Sequence, residues 1–169
     1  MKNYSVKQYE PKDYILWNAF ISRAKNATFL FDRNFIEYHQ DRFKDFSLMV
    51  FEGEKLISLL PANSYNNEIY SHQGLTYGGF VFTEKIKMSQ VLEVFQAVLH
   101  FLNVKQIKTL HLKLIPSIYN SYFSEEINYK SLIVYSLFLI SIYKCSIVFS
   151  YCLFISLQFN KFYIVCSYY

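Results

Sequence analysis

Met88-Ser89-Gln90-Val91-Leu92-Glu93-Val94-Phe95-Gln96-Ala97-Val98-Leu99-His100-Phe101-Leu102, followed shortly by Lys108-Thr109-Leu110-His111-Leu112-Lys113-Leu114-Ile115-Pro116, decides how this chain folds. In the first part Met88, Val91, Leu92, Phe95, Val98, Leu99 and Leu102 recur at i, i+3, i+4, i+7, i+10, i+11 and i+14. That is the helical period, and Val94, Ala97 and Phe101 widen the apolar stripe enough to cover a sheet. In the second part Leu110, Leu112 and Leu114 alternate with Thr109, His111 and Lys113, which is the period of a strand. A covering helix that runs straight into a half-buried strand predicts an α+β domain.

Working towards the N-terminus, Phe46–Phe51 and Leu56–Leu60 are apolar runs separated by Glu52-Gly53-Glu54-Lys55, a hairpin pattern closed by Pro61. Asn63 to Asn67 reads as a second turn, and Glu68 to Ser71 begins another strand. Tyr14, Trp17, Ile21 and Ala24 predict a helix over Asp13–Lys25, capped by Asp13. A second helix is expected from Arg33 to about Arg42, with Asp32 at its N-cap. The predicted order is helix, helix, hairpin, strand, glycine loop, long helix, strand, without repeats or linkers.

Ser71-His72-Gln73-Gly74-Leu75-Thr76-Tyr77-Gly78-Gly79 holds three of the four glycines in the chain. Between a strand and a helix, glycines allow backbone amides to approach a ligand such as a pyrophosphate. The plain alternative is a bend that needs positive φ at Gly78 or Gly79; neither a Rossmann nor a Walker pattern is present. His72 and Tyr77 are the candidate acid–base groups, with Gln73, Gly74, Gly78 and Gly79 lining the ligand loop. Glu125-Glu126 is a further carboxylate pair that also suits a solvated loop. No metal site is expected, because His39, His100 and His111 lack ligand spacing. Cys145, Cys152 and Cys166 show no paired spacing that would suggest a disulfide framework.

The 169 residues are 53% hydrophobic and 18% charged, which excludes disorder as a general description. A net charge of +4, spread along the chain, is too small to argue for nucleic acid. Met1 to Gln8 has no apolar core of a signal peptide, so the expected compartment is the cytoplasm. Composition changes sharply after Lys130. All 13 acidic residues lie at or before Glu126, and only Lys144 and Lys161 are basic beyond Lys130. Serines at 131, 136, 141, 146, 150 and 156 match neither the helical nor the strand period. Residues 1–130 therefore read as the domain and 131–169 as an apolar tail. Three origins compete for that tail: a frame slip, a membrane span and a β extension. A central lysine costs about 3 kcal/mol on insertion scales, which the surrounding Leu, Ile, Val and Phe can offset.

Thr28-Phe29-Leu30-Phe31-Asp32-Arg33-Asn34-Phe35, Leu59-Leu60-Pro61-Ala62-Asn63 and Ser71–Gly79, together with the element order, resemble the GNAT (Gcn5-related) acyltransferase fold. More narrowly they resemble a bacterial branch related to the Fem-type peptidoglycan aminoacyltransferases, over about residues 3 to 129. The resemblance implies a partial GNAT-like mixed, mainly antiparallel sheet with covering helices. It implies N-acyl transfer from acyl-CoA as co-substrate, or from aminoacyl-tRNA, to a small-molecule or peptide amine. The usual pyrophosphate signature, Gln/Arg-x-x-Gly-x-Gly/Ala, is not reproduced, and the family pattern stops at about Tyr129. The alternatives are therefore an inactive, truncated or frame-shifted fragment, and a binding module tethered to a membrane through residues 131–169.

Overall fold

The computed structural model describes residues 4–38 and 40–113 together with the backbone of 146–150, 157–159 and 162–164. The architecture is α+β, with a mixed and mainly antiparallel set of strands. Strand β1 (Tyr4–Gln8) leads into helices α1 (Tyr14–Ile21) and α2 (Arg33–Tyr38). There follow β2 (Lys44–Asp45), β3 (Leu48–Glu52), β4 (Lys55–Leu60), β5 (Asn63–Tyr65), β6 (Glu68–Tyr70) and β7 (Val81–Phe82). Helix α3 (Met88–Val104) and β8 (Thr109–Lys113) come next, then β9 (Ser146–Ser150), β10 (Leu157–Phe159) and β11 (Phe162–Ile164).

Two sheets share one long hairpin. The order β1-β3-β4-β7 is antiparallel throughout, and β2-β5-β6-β8-β9 forms the other sheet. The pairings Lys44↔Ser64 and Leu48↔Leu60 belong to a single register, and Phe46 N–H donates to Ala62 O at 2.9 Å between them. Pro61, which has no N–H to give, lies at the break. Beyond it the hairpin leaves the first sheet for the second: β4 pairs with β7, whereas β5 pairs with β6. The chain from Ser71 to Phe80 crosses between these two neighbours.

The α3 stripe is buried as its period requires: Val91, Val94, Phe95, Val98, Leu99 and Leu102 are closed to solvent. They pack with Leu48, Val50, Ile57, Ile69, Leu110 and Leu112, at about 1.5–3 kcal/mol for each buried side chain. Trp17 and Phe20 from α1 pack with Phe31, Met49, Leu59 and Val81 in a second core. Met49 and Val50 are adjacent in β3, so alternation sends them to the two cores.

Five details differ from expectation. Strand β1 precedes the first helix and was not expected. Helix α1 ends at Ile21; Asp13 holds the expected N-cap position, but its side chain accepts Lys7 Nζ at 2.8 Å and makes no capping hydrogen bond. Helix α2 stops at Tyr38. The second turn is only Asn66-Asn67, both at positive φ (48° and 63°), because Asn63 joins a strand. Asparagine tolerates that conformation, which suits a two-residue hairpin. Finally β7 was missed, since two residues are too short to show a period; buried Asn26 braces it through Phe80 O and Phe82 N–H, both at 2.8 Å.

Within the segment read as an apolar tail, Ser146–Ser150 forms β9 and pairs in parallel with all five residues of β8. Strands β10 and β11 pair antiparallel. The apolar runs Leu132–Tyr143 and most of Cys145–Leu157, and with them Glu125-Glu126, the three cysteines, His39 and Leu114, lie outside the described residues. Among the described residues no helix is long and apolar enough to cross a membrane.

Candidate functional site

Helix α2 begins with an arginine in an apolar setting, between Phe31 and Ile36. Arg33 is only 2% exposed. Its guanidinium lies 3.6 Å from the centroid of the Tyr9 ring and donates to Glu37 Oε1, Ser47 Oγ and Asp45 Oδ2. Tyr9 O–H donates to the same Glu37 oxygen at 3.0 Å. Burial, then this carboxylate, raises the Tyr9 phenol to about 12. The planar fork of arginine lets one cation hold two carboxylates and a hydroxyl at once, which lysine cannot do.

Beside this network lies a pocket of about 540 Å³. Pro11, Phe35, Ile36, Phe43 and Leu75 give it apolar walls. Arg33, Glu37, Asp45, Asn63, His72 and Gln73 supply its polar groups. Asn63 and Gln73 hold one another: Asn63 Nδ2 donates to Gln73 Oε1 at 2.7 Å, and Gln73 N–H donates to Asn63 Oδ1 at 3.1 Å. This pair pins the start of the glycine loop to β5.

His72 has positive φ (54°) and is 6% exposed, and among the described residues neither ring nitrogen has a hydrogen-bond partner. Its ring meets Phe31 edge-on at 5.1 Å. Burial, followed by the positive charge of Arg33, lowers its pKa to about 4. At neutral pH the imidazole is therefore uncharged, and it is a poor proton acceptor. Its contribution is a neutral ring in the pocket wall with unused hydrogen-bonding capacity.

The residues expected at the site divide. His72, Gln73 and Gly74 line the pocket; Tyr77, Gly78 and Gly79 are not among its lining residues. Tyr77 belongs to the second core, 6.2 Å from Phe31 and with its hydroxyl 3.4 Å from Thr28 Oγ1. Gly79 has φ +90° and Gly74 φ +83°, whereas Gly78 is glycine for lack of space. Arg33, Glu37 and Asp45 were missed as site residues. The available signal was an arginine with glutamate at i+4 on a short helix flanked by apolar side chains. Among the described residues no group of three metal-ligating side chains is assembled.

No protein-family model matches the chain, and no curated protein matches it. Among solved structures it is similar to the ribosomal-protein-S18-alanine N-acetyltransferase from Escherichia coli, at 9% identity and a TM-score of 0.46. The similarity covers 64% of each chain.

Proposed function

We propose that this chain is an N-acyltransferase of GNAT type whose substrate site is the pocket between Arg33 and His72. One observation carries the reading. The three stretches that resemble the family are far apart in sequence, and each contributes to the same pocket: Arg33 and Phe35 from the first, Ala62 and Asn63 from the second, His72 to Leu75 from the third. The site holds a polar floor against an apolar wall, which suits a substrate with a polar reacting end and an apolar body. The donor class is an acyl thioester such as acyl-CoA, with aminoacyl-tRNA as the other source. The acceptor is a small-molecule or peptide amine. In such a reaction the protein chiefly aligns an uncharged amine with the acyl carbon.

The test is release of free thiol from acetyl-CoA by the purified chain with a panel of primary amines, and aminoacyl transfer from charged tRNA in a second arm. Amine-dependent release that falls at least about tenfold in Asn63→Leu supports the reading. Absence of both transfers, with no binding of CoA by calorimetry, overturns it in favour of an inactive fragment.

A further inference from the structure

The sheet carries a second cluster of titratable groups beside the pocket, whose Asn63 pairs with Tyr70 of β6. Strands β6 and β8 run parallel in the register Glu68↔Thr109, Ile69↔Leu110 and Tyr70↔His111. Ile69, Leu110 and Leu112 pack with the α3 side chains, so alternation puts Glu68, Tyr70, His111 and Lys113 on the opposite face. There His111 Nε2 lies 2.8 Å from Glu68 Oε2, and Tyr70 O–H donates to that same oxygen at 2.6 Å. The Tyr70 and His111 rings stack, with centroids 4.0 Å apart and planes within 2°. Lys113 donates to Leu75 O, which ties this face to the loop that lines the pocket.

A carboxylate on one imidazole nitrogen fixes the tautomer: Nε2–H donates to Glu68, and the lone pair is left on Nδ1. The same carboxylate stabilises the imidazolium once a proton arrives. Tyr70's hydroxyl, more than His111, holds the Glu68 carboxyl below its usual range against partial burial. Burial and Glu68 raise the Tyr70 phenol to about 12, so it stays a donor. By the same register Asp45 and Tyr65 share this face with Lys113, and β9, on the far side of β8, contains no titratable residue over Ser146–Ser150. The His111 side chain is 24% exposed, open enough to exchange protons with a bound molecule.

We propose that Glu68, Tyr70 and His111 form an acid–base unit in which His111 Nδ1 accepts the proton of an amine nucleophile. The unit rests on the acyltransferase reading. As the amine nitrogen bonds to the acyl carbon the carbon–sulfur bond breaks, and the N–H proton passes to Nδ1. The imidazolium then returns it to the departing thiolate. Amine and thioester become amide and thiol with no other reactant.

Nitrogen-15 NMR of the full chain near pH 8 tests the unit directly. The expected result is His111 as the Nε2–H tautomer, with Glu68→Gln mixing the tautomers. An Nδ1–H tautomer in the unsubstituted protein overturns the proposal. Acetyl-thioester transfer to an amine, followed from about pH 6 to pH 9, tests the proton's route. His111→Gln should lose about a hundredfold. Tyr70→Phe, which keeps the stack, carries the test if His111→Gln does not fold. An active protein with equal rates in His111→Gln overturns the proton role alone. An unsubstituted protein without any transfer overturns the acyltransferase reading and the proton's source together, while the NMR result still decides whether the unit exists.

Discussion

Gly78 lies so close to the backbone of Ser71 that a β-carbon built on it would sit 2.5 Å from the Ser71 carbonyl oxygen and 3.1 Å from His72 Cβ. The obstacle is backbone and cannot swing aside. Gly78→Ala should therefore cost about 1–3 kcal/mol as an overpacking change. Gly53, at φ +60° with nothing within 4 Å of its β-position, gives the contrast: strain alone, about 1 kcal/mol on replacement by alanine. Urea unfolding of both variants checks the ranking, and a Gly78→Ala midpoint equal to that of the parent protein would remove the close-approach argument.

Arg33 is the buried end of a network whose carboxylates, Asp45 and Glu37, are 31% and 38% exposed. Arg33→Ala should cost about 1–3 kcal/mol, because it removes hydrogen bonds to two partly solvated acids and unpacks the Tyr9 ring. Arg33→Lys should recover only part, since a compact ammonium lacks the planar spread with which the guanidinium meets Glu37, Ser47 and Asp45 and stacks on Tyr9. Chemical denaturation reads both; a lysine variant as stable as the parent would show that the fork geometry is immaterial.

His72 makes stability depend on pH with a definite sign. Its folded pKa, about 4, is depressed below the ordinary 6.5. The unfolded chain therefore binds a proton first as pH falls. No penalty exists above pH 6.5; it grows between pH 6.5 and 4 and levels off below. The loss should amount to about 3 kcal/mol. His72→Asn tolerates the positive φ and lacks the titration, so its stability should fall less over that window. Parallel slopes for the two proteins would refute this.

Strand β9 covers the edge of β8 that would otherwise be bare. Ending the chain after Lys130 should leave that apolar edge open to other molecules and blunt cooperative unfolding. Thermal melts by circular dichroism, with light scattering alongside, measure this. A sharp melt of the shortened chain, at the temperature of the full one, would show that β8 needs no partner.

Elements whose signal is local were legible from the amino-acid order alone. The 3.6-residue stripe of α3, the alternation of Leu110 and Leu112, the Gly53 hairpin and the stop at Pro61 all follow from side chains within a few residues of one another. That order also marked Ser71–Gly79 as a special loop, because few other residues accept the conformations of Gly74 and Gly79. What that loop meets was left to long-range packing. Arg33 and His72 share a pocket, and Glu68 and His111 come within hydrogen-bond distance, across separations of 39 and 43 residues. Those meetings depend on the turn of the hairpin from one sheet into the other and on the parallel register of β6 with β8. Tyr77 and His72 are five residues apart in the same loop, and the burial of one in the core and the other at the pocket was set by how Phe31 packs between the elements. Periodicity reports which face of an element is buried; it carries no record of which distant face will be laid against it, because that choice is made by packing and strand pairing over the whole chain.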